Sequence, residues 1–137
     1  MYIDSNIFIY SAVDKNQLGE NCRNIVEKIE NGSLNAASSY LMLDEVLWIL
    51  QKNIGKEDAL ESTKMFLSLP IKWIDVKRDI MYQSLELYDS TDLAPRDAIH
   101  MASMKKEKLT VLLSEDDDFD DIEGIERRSA NEFLEEV

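Results

Sequence analysis

The chain has one cysteine, one histidine, two prolines and four glycines among its 137 residues, and it lacks any long hydrophobic run. Because Cys22 stands alone, it cannot form an internal disulfide, and we expect it to be a small buried residue in a reducing cytosol. No apolar stretch approaches the roughly 20 residues that a membrane span needs. No charged-then-apolar leader opens the chain. These absences predict a soluble, cytoplasmic protein without a membrane partner.

Basic residues are also few, with 15 Lys and Arg against 28 Asp and Glu, so the net charge is −13. Proteins that hold phosphate backbones usually present a basic face, so this balance opposes binding of nucleic acid by simple attraction. The same charge favours metal cations or a basic protein partner. Any role on nucleic acid therefore needs a local explanation, such as a metal site.

Short apolar runs alternate with stretches of 3.6-residue period, which is typical of βαβ units around a parallel sheet. We predict one domain over residues 1–137. Its five strands are expected at residues 1–3, 34–37, 71–74, 110–113 and 125–128. Its helices are expected at residues 6–13, 17–30, 39–53, 56–67, 78–89, 96–106 and 131–136. Gly55 and Pro70 mark boundaries between these elements.

Four acidic residues are placed where a carboxylate is costly, at a strand end or beside an apolar helix: Asp4, Glu45, Asp97 and Asp116. In open parallel sheets, ligands bind outside the carboxyl ends of the strands, where the strand order reverses. Asp4 and Asp116 directly follow predicted strands, and Glu45 and Asp97 lie on helices that flank them. The sequence therefore predicts that all four converge.

Gathered carboxylates favour a divalent cation, because two unit charges about 4 Å apart repel by about 4 kcal/mol at an effective dielectric of 20. Oxygen ligands without paired Cys or His favour Mg²⁺ or Mn²⁺ over Zn²⁺. Such ions polarise phosphodiesters and lower the pKa of bound water, so the pattern indicates phosphodiester hydrolysis. The chain has no suitable Cys–His or Ser–His pair for a nucleophilic side chain.

In order and spacing, four segments resemble the acidic motifs of PIN-domain nucleases: Asp4-Ser5-Asn6, Glu45 before Val46-Leu47-Trp48, Asp97-Ala98-Ile99-His100, and Ser114 with Asp116, Asp118 and Phe119. The resemblance covers nearly the whole chain and is closest to the small VapC-type toxins of toxin–antitoxin pairs. It implies a three-layer α/β/α domain with a mostly parallel five-stranded sheet. It also implies cleavage of RNA with Mg²⁺ or Mn²⁺, leaving 5′-phosphate and 3′-hydroxyl ends.

The resemblance also assigns roles to individual residues. The positions that match the family's catalytic metal ligands are Asp4, Glu45, Asp97 and Asp116, with Asp118 as an additional acidic position. Ser114 matches a hydroxyl that orients the acidic cluster, and Asn6 matches a polar residue beside it. We also expect Arg96, next to Asp97, to contact a substrate phosphate.

Each candidate residue also has an ordinary structural explanation. Asp4 is a suitable helix N-cap, Asp97 is favoured by the positive end of its helix, and Asp116 belongs to an acidic run that is typical of a solvated turn. Arg96 is suited to a surface salt bridge. His100 is more typical of a packed residue making one hydrogen bond than of a participant in the site.

We therefore predict a metal-dependent endoribonuclease, the toxin of a toxin–antitoxin pair, with RNA as substrate and a small basic antitoxin as partner. The apolar pattern from Met42 to Leu67 predicts a homodimer face. The main alternative is a catalytically silent PIN-like module that binds a basic partner through its acidic cleft. A receiver-like domain is a second alternative, but Lys108 precedes its strand, at the wrong end for that fold.

Overall fold

The computed structural model describes residues 1–137 and confirms the α/β prediction. Five short strands form one sheet in which every neighbouring pair is parallel, in the order β3-β2-β1-β4-β5. The strands are β1 (Tyr2–Ile3), β2 (Ala37–Ser39), β3 (Lys72–Ile74), β4 (Val111–Leu113) and β5 (Glu126–Arg128).

Seven α-helices surround this sheet. They are α1 (Ser5–Val13), α2 (Gln17–Glu30), α3 (Tyr40–Ile54), α4 (Lys56–Leu67), α5 (Arg78–Ser90), α6 (Pro95–Lys106) and α7 (Ala130–Glu135). A 3₁₀ turn follows β4 at Asp117–Phe119. Gly55 joins α3 to α4 at φ +85°, a backbone conformation that favours glycine over other residues. No helix combines the length and the apolar character needed to cross a membrane.

Two hydrophobic cores, one on each side of the sheet, produce the predicted three layers. The larger core joins the sheet to α1–α4 and α7, and the smaller one joins it to α5 and α6. Successive residues of a strand point to opposite faces. Ile3 accordingly belongs to the larger core and Tyr2 to the smaller, although both are completely buried.

The second strand was predicted too early in the chain. Residues 34–37 were expected, but β2 is Ala37–Ser39, so only Ala37 is shared. The apolar side chains before it pack on the core from a loop, whereas the strand itself ends in two buried serines. Ser38 Oγ donates a hydrogen bond to the Ile3 carbonyl at 2.9 Å, which satisfies its hydroxyl inside the sheet. Ser39 Oγ, by contrast, has no hydrogen-bond partner. These two buried polar side chains disguised the strand.

Candidate metal centre

The strand order reverses between β1 and β4, and the candidate residues gather at the carboxyl ends of these two strands. Ile3 pairs with Leu113, and the Asp4 N–H donates to the Leu113 carbonyl at 3.0 Å. This register places Asp4 beside Ser114 although 110 positions separate them. The edge is the one where parallel α/β sheets bind ligands.

Asp4 is 5% exposed and is both a helix cap and a member of the acidic cluster. Its Oδ1 accepts from the Ser5 N–H at 2.7 Å, so Asp4 caps α1. Its Oδ2 accepts from Ser114 Oγ at 2.6 Å and from Asn6 Nδ2 at 3.2 Å. Burial raises the pKa of Asp4 above its ordinary value, with the Glu45 charge adding to the rise, while His100 and Ser114 oppose it.

The Ser114 hydroxyl is completely buried and uses its full hydrogen-bonding capacity. It donates to Asp4 and accepts from Asn6 Nδ2 at 3.1 Å and from the Asp116 N–H at 3.0 Å. Asn6 Oδ1 in turn accepts from the Glu115 N–H at 3.3 Å. These bonds tie the residues after β4 to the start of α1 and hold the Asp4 carboxylate in one orientation.

Glu45 lies on α3 and turns its carboxylate inward, whereas the neighbouring Asp44 is exposed. Glu45 Oε1 is hydrogen-bonded to His100 Nε2. Ser5 Oγ lies 3.4 Å from both Glu45 Oε2 and Asp4 Oδ1, so this hydroxyl stands between the two carboxylates. Glu45 and Asp4 are thus neighbours across the cleft.

His100 is 1% exposed and makes two hydrogen bonds, one more than expected of a packed histidine. Tyr2 Oη lies 2.5 Å from its Nδ1, and Glu45 is bonded to its Nε2. Burial acts to lower the pKa of His100, but Tyr2, Glu45 and Asp4 outweigh it and raise the pKa well above its ordinary value. The imidazole is therefore suited to balance negative charge behind Glu45.

Asp97 lies in the first turn of α6 and is partly buried. Its pKa is raised from 3.8 to about 6. Burial is the main cause, and the charges of Asp4, Asp116 and Glu45 add to the rise while His100 opposes it. The charges of Asp4, Asp116 and Glu45 therefore all reach Asp97.

Asp116 begins the 3₁₀ turn and accepts from the Asp118 N–H at 2.9 Å. Phe119 is completely buried and anchors this turn. Asp117 and Asp118 are exposed, and the Asp116 charge is the main cause that raises the pKa of Asp118. Carboxylate oxygens of Asp116, Asp117 and Asp118 lie within 4.8 Å of one another.

Arg96 is about half exposed and lies on the rim of the site. Its Nη2 is 3.6 Å from Asp44 Oδ2, so the surface ion pair considered from the sequence exists with this acid. Exposed pairs of this kind stabilise a protein by only about 0–1 kcal/mol. The guanidinium can therefore exchange Asp44 for another anion at little cost.

The donor set fits a hard divalent cation. It consists of carboxylate oxygens, and burial together with mutual repulsion raises the pKa values of Asp4 and Asp97. A bound cation would relieve both effects. The carboxylate oxygens that lie within 4.8 Å of one another belong to Asp116, Asp117 and Asp118, whereas Asp4, Glu45 and Asp97 are not part of such a group.

Two residues of this site were missed by the sequence analysis. Tyr2 was counted only as part of the first strand, and Ser5 was named only as a member of the Asp4-Ser5-Asn6 segment. The signal for Tyr2 was the strand alternation that directs it toward α6, because a buried tyrosine hydroxyl needs a polar partner and α6 carries the only histidine. Ser5 gave no such signal, since its role depends on how α1 and α3 pack.

A model of the PIN domain family matches residues 1–125 of the chain. A search of curated proteins found none that matches this sequence.

Solved structures share the fold at low sequence identity. VapC20 of Mycobacterium tuberculosis, described as a sarcin–ricin loop cleaving toxin, is 18% identical with a TM-score of 0.72, over 87% of this chain and 92% of that one. VapBC2 of Rickettsia felis, solved bound to a promoter DNA fragment, is 18% identical with a TM-score of 0.73, over 93% and 96%. A toxin–antitoxin complex from Klebsiella pneumoniae is 23% identical with a TM-score of 0.67, over 91% and 94%.

Proposed function

Since this chain belongs to the PIN domain family, we propose that it is a metal-dependent endoribonuclease and the toxin of a toxin–antitoxin pair. The observation that supports this proposal best is that the charges of Asp4, Asp116 and Glu45 add to burial in raising the pKa of Asp97. Asp4 itself lies at the reversal of strand order. The solved relatives named as toxins or toxin–antitoxin complexes agree with the toxin assignment.

In this proposal Asp4, Glu45, Asp97 and Asp116 hold Mg²⁺ or Mn²⁺, and Asp118 extends the set on the exposed side. The cation would polarise the phosphodiester, lower the pKa of a bound water and neutralise the charge on the leaving oxygen. Ser114 and Asn6 hold the Asp4 carboxylate, with Ser114 Oγ donating at 2.6 Å. Arg96 contacts a phosphate of the substrate by leaving Asp44.

Cleavage of RNA by the purified protein tests this function. We expect a labelled RNA pool to be cut with Mg²⁺ or Mn²⁺, giving 5′-phosphate ends, and to remain intact with EDTA. Asp97→Asn should be inactive, whereas Asp121→Asn, which removes an exposed acid of the same region, should cut like the wild type. Equal cleavage by wild type and Asp97→Asn would contradict the proposed role of Asp97 as a metal ligand.

A small basic antitoxin is the partner that the surface favours. A groove of about 540 Å³ lies beside the candidate site, between the end of α5 and the 3₁₀ turn. It is lined by four acids, none of which is in an ion pair: Asp92, Asp117, Asp118 and Asp121. With a net charge of −13, the chain attracts a basic segment to this groove.

Purification from the native host tests the partner. We expect a small basic protein to copurify and to suppress RNA cleavage in proportion to the amount added. A pull-down without such a protein, together with no short basic reading frame beside the gene, would contradict the antitoxin assignment. Binding of a basic partner by a folded protein that never cuts RNA would favour the silent binding module instead.

We also propose that residues 1–137 form one domain, because β5 and α7 follow the matched segment yet join the same sheet and the larger core. A homodimer is proposed through α3 and α4, which expose Leu47, Trp48, Leu60, Met65 and Leu67. Action on cellular RNA would place the protein in the cytoplasm.

A further inference from the structure

The only histidine of the chain lies directly behind Glu45, at the centre of an uninterrupted series of hydrogen bonds. The Ser39 main-chain N–H donates to Tyr2 Oη at 3.2 Å, and Tyr2 Oη lies 2.5 Å from His100 Nδ1. His100 Nε2 continues the series to Glu45 Oε1. Its three buried members, Ser39, Tyr2 and His100, are each at most 1% exposed. The series runs from the backbone of the sheet to a carboxylate at the cleft.

The direction of the protons follows from counting donors. Because Tyr2 Oη accepts from the Ser39 N–H, its own proton is free to be donated to His100 Nδ1. A neutral imidazole that accepts at Nδ1 carries its proton on Nε2, and a charged imidazole carries a proton there as well. In both forms Nε2–H donates to Glu45. Both ring nitrogens are thus engaged, so His100 has no free nitrogen to offer a metal or a substrate.

The two oxygens of Glu45 are held unequally. Oε1 is bonded to the buried imidazole, whereas Oε2 has only Ser5 Oγ at 3.4 Å, near the limit of a hydrogen bond. The buried side therefore fixes one oxygen and leaves the other toward the cleft that Asp4 shares.

We propose that Tyr2 and His100 are positioning residues that orient the Glu45 carboxylate so that Oε2 faces the divalent cation. This inference rests on the proposed metal-dependent function. It adds two supporting residues that are not themselves among the acidic ligands. Tyr2 sets the ring orientation of His100, and His100 sets the carboxylate. The series connects the geometry of the cation site to β1, β2 and α6.

Mn²⁺ affinity tests the device without requiring a substrate. Free Mn²⁺ can be counted by electron paramagnetic resonance during titration of the wild type, Tyr2→Phe, His100→Met and His100→Gln. We expect the Kd to rise about 10–100-fold in Tyr2→Phe and His100→Met, the usual effect of removing such supporting contacts. His100→Gln keeps a donor of similar reach and should lose clearly less affinity than His100→Met. Met104→Leu, a buried change on the same helix, is the control for packing and should bind like the wild type.

The single histidine also allows a direct test on the metal-free protein. A long-range ¹H–¹⁵N spectrum of the imidazole shows one ring. We expect a protonated Nε2 whose resonance moves in Glu45→Gln and an Nδ1 resonance that moves in Tyr2→Phe. An unprotonated Nε2 would exclude donation to Glu45 and overturn the inference whatever the metal data show.

The outcomes separate this inference from the proposed function. One outcome would contradict the positioning role alone. In it, the wild type and Met104→Leu bind Mn²⁺ and Asp97→Asn does not. Folded Tyr2→Phe and His100→Met then bind Mn²⁺ as tightly as the wild type. Equal losses in His100→Gln and His100→Met would show that packing, not hydrogen bonding, is what matters. No Mn²⁺ binding by the folded wild type would overturn the proposed function and this inference with it.

Discussion

Replacing Asp97 by Asn should stabilise the metal-free protein while removing its metal site. Asp97 is held among three other carboxylates in a partly buried position, and burial and repulsion raise its pKa from 3.8 to about 6. Asn has nearly the same shape but no charge. The substitution therefore removes the repulsion and leaves the packing of α6 intact.

The magnitude follows from the pKa. A carboxyl whose pKa rises from 3.8 to about 6 on folding loses about 3 kcal/mol when it is ionised in the folded state. Because the side chain is partly exposed, solvent screening reduces this value, and we expect Asp97→Asn to gain about 1–2 kcal/mol at pH 8. Because the pKa of Asp97 is higher in the folded protein, folding favours the protonated carboxyl. The contribution of this carboxyl to the free energy of unfolding is therefore complete below pH 3.8 and is lost as the pH rises through about 6. Wild type and variant should therefore be equally stable near pH 3.8 and diverge by pH 7.

Urea unfolding in EDTA at a series of pH values measures this difference. Asp121→Asn controls for removing one negative charge from a protein of net charge −13. Saturating Mn²⁺ should then stabilise the wild type, by about 2.7 kcal/mol at 100 times the Kd, and leave Asp97→Asn unchanged. If Asp97→Asn is markedly less stable than the wild type at pH 8 in EDTA, the carboxylate supports the start of α6 and the repulsion argument is wrong.

Four further substitutions test other parts of the account. Ser114→Ala should lower the free energy of unfolding by about 1.5–3 kcal/mol, because it removes a buried bond to a charged carboxylate on Asp4; a loss close to zero in urea unfolding would contradict this. Phe119→Ala should cost about 3–5 kcal/mol in the same assay, because the ring is completely buried. Arg96→Ala should change stability by no more than about 1 kcal/mol while raising KM for RNA; an unchanged KM would remove it from the substrate site. Trp48→Lys should shift a dimer to monomer in sedimentation velocity, since the ring is half exposed on α3, and an unaltered sedimentation coefficient would exclude that face.

The sequence allowed the layers and the sheet to be predicted because strand and helix periodicities were distinct over most of the chain. The exception was β2, where only Ala37 was common to prediction and structure. Of its two buried serines, Ser38 donates a hydrogen bond to the Ile3 carbonyl, whereas Ser39 Oγ has no partner. A pattern based on hydrophobicity cannot detect a strand whose buried side chains are polar.

The placement of Asp4 and Asp116 at one edge of the sheet could be predicted for a similar reason. Asp4 directly follows its strand and Asp116 closely follows another, and parallel strands bring such positions to one edge. The role of Tyr2 could not be predicted in the same way, because its contact with His100 joins residues 98 positions apart and depends on how α6 packs on the sheet. The sequence indicates which side chains carry charge, whereas the supporting hydrogen bonds depend on packing angles.

Calorimetric titration of Mn²⁺ into the wild type and Asp97→Asn shows whether the acidic residues bind a divalent cation, and it requires no assumption about the RNA substrate. Both proteins should be treated with EDTA and freed of any copurifying partner beforehand, with folding checked by circular dichroism. We expect saturable binding by the wild type that is lost in Asp97→Asn. A folded wild type that binds no Mn²⁺ would contradict a metal-dependent nuclease and favour an acidic module that binds a basic partner.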